Sequence, residues 1–192
     1  MKFTYSHILK TLLKFNPILD KTSGELFLTI TDYKVFAPNE YILKKGRYDR
    51  NLFFILKGSV RSFSIIDGVE RNCHLRSEGY IMGDAKSFAE NPVANLDTMA
   101  ITECHVLLFD LNRLEELAFK HHNILSFYLK ILKEIITVFS HRINTFVCMN
   151  SQQRYLDLIN WNPGYLETTY DKHLASFLGI TPLTFHRIKN KE

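Results

Sequence analysis

The sequence predicts an α+β chain in which an antiparallel sandwich or roll comes first, a long helix second and a helix-turn-helix last. Three observations carry this. Turn-forming residues punctuate short apolar runs as far as Phe109. The stretch from His122 to Met149 has neither glycine nor proline and keeps a three–four apolar spacing. Between Asp171 and Lys189, two short amphipathic segments flank a glycine and a Thr-Pro pair.

The chain has 192 residues, 46% hydrophobic and 23% charged, enough for one good-sized core or a medium domain with a small one. The net charge of +4 suits an anionic partner without reaching the polybasic range. Cys73, Cys104 and Cys148 are scattered, with no CxxC pair, so plain thiols in a reducing, cytoplasmic setting are expected. Neither a signal peptide nor a membrane-spanning run is read. Ile8, Leu9, Leu12, Leu13 and Phe15 fit one side of a short N-terminal helix.

The β region has turn signals at Ala37-Pro38-Asn39, Lys45-Gly46, Lys57-Gly58, Asp67-Gly68, Glu78-Gly79, Met82-Gly83-Asp84 and Asn91-Pro92. The clearest hairpin spans Ser59 to Arg76, with Asp67-Gly68 at its tip, a pair that accepts the positive φ angles of a two-residue turn. One last strand is expected from Met99 to Phe109. Asp110 then reads as the N-cap of a short helix that carries Glu115 and Glu116.

The long helix shows two adjacent apolar rows. Leu125, Leu129, Leu132, Ile136, Phe139, Ile143 and Phe146 form one; Ile124, Tyr128, Ile131, Ile135 and Val138 form the other. A helix on a small domain usually needs a single stripe. Two stripes suggest two partners, the β region and the same helix of a second chain in a parallel coiled coil. The second row is assigned to the dimer. The alternative is one wide stripe buried in a single core, but a chain of this size has little material left to cover it.

After Asn150, a helix over Ser151–Ile159 ends at Asn162-Pro163-Gly164, and a loop or short strand spans Tyr165 to Tyr170. Two short helices follow, about Asp171–Leu178 and Thr181–Lys189. Ala175 is small where a second helix crosses, Gly179 closes the first helix, Ile180 plugs the turn, Thr181 caps the second helix and Pro182 opens it. Leu174, Leu178, Phe185 and Ile188 form the buried set, leaving Thr184, His186, Arg187 and Lys189 outward. Lys172, Arg187, Lys189 and Lys191 outnumber Asp171 and Glu192. Such a helix pair places its second helix in a major groove of double-stranded DNA. An ordinary helical hairpin is the plainer alternative.

The chain as a whole resembles the Crp/Fnr family of bacterial transcription regulators. Asn51-Leu52-Phe53-Phe54-Ile55-Leu56-Lys57-Gly58-Ser59-Val60 resembles the family's aromatic-rich strand ending in a glycine turn. Glu78-Gly79-Tyr80-Ile81-Met82-Gly83-Asp84 resembles the segment that leads into its phosphate-binding cassette. The resemblance implies a jelly-roll-like β-roll effector domain over residues 1–120, a dimerisation helix over 121–149, a helix-turn-helix domain over 150–192, and a homodimer. It marks Gly83, Asp84, Ala85, Ala94 and Asn95 as effector-pocket candidates, and Thr181, Pro182, Leu183, Thr184, His186, Arg187 and Lys189 as candidate DNA contacts.

Two departures bear on function. Where cyclic-nucleotide-binding members carry Gly-Glu and then Arg-Ser, this chain has Gly83-Asp84 and Ala94-Asn95. Without the arginine, a buried phosphate loses its charge-assisted contacts, so tight binding of cyclic AMP or cyclic GMP is not expected. An unknown small-molecule effector, or none, is left. In the reader helix, Leu183 stands where members often have a glutamate, so no recognition code is inherited, while Arg187 matches. The other reading is a β-roll ligand-binding or protein-interaction module with a degenerate reader helix.

No cofactor, metal site or enzyme motif is read; P-loop, GxSxG, HExxH and GxGxxG patterns are missing from the sequence. Asp84 with His74 or His105 has no nucleophile or metal constellation beside it. Adjacent Cys73 and His74 fall on opposite faces of a strand and read as a buried thiol and an exposed imidazole. His121-His122 reads as a solvated helix junction, Trp161 as packing between reader and long helix, and the Lys44-Lys45-Gly46-Arg47 and Arg50 cluster as a solvated loop.

Overall fold

A computed structural model describes residues 3–190. Helix α1 (Tyr5–Phe15) starts at Thr4, whose side chain accepts the His7 N–H, and buries Ile8, Leu9 and Leu12. Helix α2 (Lys21–Leu28), absent from the sequence reading, is capped by Asp20, which accepts the Ser23 N–H at 2.7 Å. Its Gly24 looks like a helix breaker. In the fold, a Cβ at that position would meet Leu13 at 2.9 Å and Leu9 at 3.0 Å, so the glycine lets α1 and α2 close on each other.

Eight strands follow: β1 (Thr31–Phe36), β2 (Tyr41–Leu43), β3 (Asn51–Lys57), β4 (Ser59–Ile66), β5 (Val69–Ser77), β6 (Ile81–Met82), β7 (Asp97–Ala100) and β8 (Cys104–Asp110). They form two four-stranded antiparallel sheets, ordered β1-β8-β3-β6 and β2-β7-β4-β5. Phe53, Ile55, Val60, Ala100, Cys104 and Val106 are buried in one of the clusters of this jelly-roll-like β-roll. The β4–β5 hairpin turns where expected, with Asp67 at φ 51 and Gly68 at φ 75. The expected strand Met99–Phe109 is instead two strands in different sheets. At their corner, Ile101 N–H donates to the Ser59 carbonyl at 2.8 Å, and Thr102 Oγ1 accepts the Ser59 N–H at 2.9 Å. Gly58 (φ 98) is pressed against this corner, where a Cβ would meet the Glu103 carbonyl at 2.4 Å. The break at 101–103 carries no glycine or proline, which is why the sequence hides it.

Helices α3 (Leu111–Lys120), α4 (His122–Cys148), α5 (Ser151–Trp161), α6 (Gly164–Thr168), α7 (Asp171–Leu178) and α8 (Pro182–Lys189) complete the chain. Asp110 caps α3 as expected, accepting the Arg113 N–H at 3.0 Å. Tyr165–Tyr170, expected as loop or strand, is largely the short helix α6. Tyr165 is buried there, and its hydroxyl donates to the Leu75 carbonyl at 2.9 Å.

Helix α4 corrects the assignment of its two rows. Ile124 and Ile131 are 0% and 1% exposed and belong, with Phe127, to the core shared by the roll, α1 and α2. Tyr128 and Ile135 pack on the margin of that core, and Val138 lines a cleft against the roll. The row assigned to the dimer therefore meets the chain's own roll. The row that stays open includes Leu125, Leu129, Ile136, Phe139, Ile143 and Phe146, with Ile136 67% exposed. Phe127, outside both rows, is fully buried in the same core, and its ring meets Phe27 edge-on at 5.2 Å.

Candidate nucleic-acid interface and effector cleft

The reader is built on a small core of its own. Leu174, Ala175, Leu178 and Phe185 are buried together with Tyr155, Leu158 and Tyr165. Ile180 and Ile188 pack against this set partly buried. Gly179 ends α7 in the left-handed region (φ 66), its N–H bonding to the Ala175 and Ser176 carbonyls. Thr181 Oγ1 accepts the Thr184 N–H at 3.1 Å, and Pro182 occupies the first turn of α8. Thr181, Pro182, Leu183, His186 and Arg187 are exposed on the outward side; Thr184 is half-buried. His186 Nε2 lies 2.9 Å from Asn190 Nδ2. Lys189 is held by Asp171 at 2.9 Å, which ties the end of α8 to the start of α7. Lys191 and Glu192 lie outside the described residues.

Two further clusters of contacts, missed in the sequence, seat this reader on the roll. Leu75 and Ile101 belong to the reader's core. Ser176 Oγ accepts the Asn72 N–H at 2.9 Å and donates to the Glu70 carbonyl at 3.0 Å. Beneath it, buried Arg61 donates to Glu70 at 2.7 Å and to Asn72 at 3.1 Å, and its guanidinium lies 4.0 Å from the Phe63 ring centre. The Arg61 hydrogen bond holds Glu70 below the usual carboxylate range. His173 is pushed down to about 4, chiefly by burial and then by Arg61 and Lys172, with Glu70 opposing. Nothing local in the sequence of β5 says that α7 lies on it.

Of the effector-pocket candidates, Gly83, Asp84 and Ala85 line a cleft between the roll and α4, opposite Ile135, Val138 and Phe139. Ala94 and Asn95 are not among its walls. A Cβ on Gly83 would meet the Leu52 side chain at 2.4 Å and the Asn51 carbonyl at 3.2 Å, so the glycine lies close against β3. Asp84 is 5% exposed, and its carboxylate is directed at the backbone: one oxygen accepts Lys86 N–H at 2.9 Å, the other Asn95 N–H at 2.8 Å and Leu96 N–H at 3.0 Å. Ala94 is buried, and its N–H donates to the Arg47 carbonyl at 2.9 Å.

The remaining sequence candidates resolve as follows. A register skip in the β4–β5 ladder falls at Cys73, and the thiol is half-buried; His74, expected exposed, turns into the cleft and meets Phe139 edge-on at 5.4 Å. Burial, then Arg76 and Arg142, push His74 down to about 3. His105 lies in the other sheet, 2.5 Å from the Tyr33 hydroxyl and 3.0 Å from Glu103. Arg50, expected solvated, is tucked 3.6 Å from Glu115. His121 and His122 are exposed at the α3–α4 junction, and Trp161 stacks on His141 of α4 at 4.2 Å. Among the described residues, no helix is long and apolar enough to cross a membrane, and no acidic, histidine and cysteine cluster is arranged to hold a metal ion.

Residues 33–121 match the family model of the cyclic nucleotide-binding domain. No curated protein matches the sequence. Among solved structures, FixK2 from Bradyrhizobium japonicum aligns at TM-score 0.72 and 14% identity over 84% of each chain. A CooA variant from Carboxydothermus hydrogenoformans aligns at 0.68 and 16% identity, over 99% of this chain and 85% of that one. CLP from Xanthomonas campestris, described as a c-di-GMP-responsive global regulator, aligns at 0.66 and 16% identity, over 90% and 91%. The chain thus carries a cyclic nucleotide-binding-like roll and shares with these structures the fold in which a roll precedes a long helix and a short helix pair.

Proposed function

We propose that the protein is a DNA-binding transcription regulator that works as a homodimer, and that its roll does not take up a cyclic nucleotide tightly. The observation that carries DNA binding is the outward side of α8. Its side chains Thr181, Leu183, His186 and Arg187 stand exposed on a capped, fully cored helix pair, with Arg187 in no ion pair among the described residues. Exposed Leu183 suits a thymine methyl, and Arg187 suits a guanine edge or a phosphate. The test is binding to the DNA upstream of the protein's own gene, measured at rising salt. Affinity is expected to fall as salt rises, because counterions are released from the phosphates. No binding at low salt would overturn the reading.

The homodimer is supported by the open row of α4 from Leu125 to Phe146 and by its near-heptad spacing. Two readers carried by paired helices suit half-sites about one helical turn apart, or multiples of one turn. The view that cyclic nucleotides are not ligands rests on Ala94-Asn95 and on Asp84. No arginine stands at the phosphate position, and both oxygens of the acid are already engaged by backbone N–H groups. Calorimetric titration with cyclic AMP and cyclic GMP is expected to show no tight binding; micromolar affinity would refute it.

A further inference from the structure

A second cleft lies where the roll, α4 and the reader meet. Its walls include Arg76 of β5, His141 and Arg142 of α4, and Arg154, Asp157 and Trp161 of α5. It shares His74, Arg76 and Val138 with the effector cleft. Three guanidiniums in one half-buried cleft repel one another more strongly than they would in water, and buried charges are ordinarily paired. Here none of the three forms an ion pair with a carboxylate among the described residues. Asp157 is the one acid in the cleft, and His141 Nε2 engages it at 2.9 Å.

The guanidiniums are held in place by other means. Arg142 donates to the Phe177 carbonyl and lies over the rings of Phe177 and Phe146, at 3.7 and 4.2 Å. Arg154 lies 5.1 Å over the same Phe146 ring, and its Nε is buried without a partner. Arg76 donates to the Leu75 carbonyl at 2.7 Å. A guanidinium has five N–H donors, so most of this donor capacity is unassigned. Burial and the nearby Arg154 and Arg76 push Arg142 down to about 10, with Cys73 and Asp157 opposing.

We propose that this cleft binds a phosphate-sized oxyanion of a phosphorylated small molecule, held by Arg142 and Arg154 with Arg76 adding charge. The occupant supplies the missing counter-charge and touches the roll, α4 and α5 at once. The site adjoins the cleft that Asp84 lines, but its two main ligands, Arg142 and Arg154, lie outside that cleft, and it stands or falls independently of DNA binding.

The test titrates inorganic pyrophosphate into the full-length protein against sodium chloride at matched ionic strength, by calorimetry and thermal melting. Saturable binding and a rise in melting temperature beyond the chloride control are expected. Arg154→Gln should weaken binding roughly tenfold, the loss of one charge-assisted contact. Arg142→Gln should do the same, and the double variant should abolish binding. Because Arg142 also holds Phe177, Arg154→Gln is the decisive variant: without pyrophosphate it should melt at or above the wild type, since it removes a like charge. A flat titration overturns the proposal. So does unchanged pyrophosphate affinity in Arg154→Gln, or displacement of pyrophosphate by duplex DNA, which would assign these arginines to the nucleic acid.

Discussion

Asp84 directs both carboxylate oxygens at backbone N–H groups on either side of the cassette loop, so at this residue an acid associated with ligand binding is a structural brace. Removing it leaves three half-buried N–H donors without their acceptor. Asp84→Ala is expected to lose about 2–4 kcal/mol in urea denaturation. Asp84→Asn, which keeps one acceptor oxygen, should lose less. The two buried histidines set a pH dependence. Both His173, at about 4, and His74, at about 3, sit below the ordinary value of 6.5. The unfolded chain binds these protons first as pH falls, so stability is full above about 6.5 and declines as pH drops toward 4, by at most about 1.4 kcal/mol per pH unit for each histidine. Thermal melts across this range should show the decline, and His173→Gln should flatten it. An unchanged slope would mean that other groups titrate. At this scale the sequence was a partial guide. It marked Asp84 and Ala94-Asn95 as departures, but the inward turn of His74 depends on the bulge at Cys73, which no local pattern announces. Arg187 was legible as an outward residue; Arg187→Ala is expected to weaken specific DNA binding by about 1–3 kcal/mol if it reads a base.

Elements with a strong local signal emerged from sequence nearly as they stand: the Asp67-Gly68 hairpin, the Asp110 cap, and α7-turn-α8 with its Gly179, Thr181 and Pro182. Those set by tertiary contact did not. Helix α2 hides behind Gly24, whose purpose is contact with α1. Helix α6 hides behind the strand-like Thr168-Thr169-Tyr170 and is fixed by the Tyr165–Leu75 bond. The corner at 101–103 exists because Ser59 reaches it from another strand. The period of α4 was legible, but which row faces the roll was not, since both rows are apolar and only the position of Phe27 and Phe109 decides it. Gly179 is the turn most open to test. Gly179→Ala forces a Cβ into the left-handed region and to 2.8 Å from the Phe146 ring, so a loss of about 1–2 kcal/mol is expected on thermal or chemical unfolding.

Across the whole molecule, α4 touches the roll along one side and leaves the other open. If the open row is the seam, Ile136→Asp should yield a monomer by sedimentation, with the roll still folded by circular dichroism, while DNA affinity drops sharply. A variant that stays dimeric would place the seam elsewhere. The same expectation separates dimer from core, because an aspartate at buried Ile131 should unfold the chain instead.

The reader's seat on β5 has a consequence for portability. Leu75 and Ile101 are part of the core of the helix-turn-helix, and Asn72 and Glu70 bind Ser176. A segment cut at Asn150 and fused to another roll would carry a hole where those two side chains belong. This reader is not an interchangeable head: a chimera that works must take the β4–β5 hairpin and the corner at Ile101 along with it, so the roll and the reader travel, and must vary, as one piece.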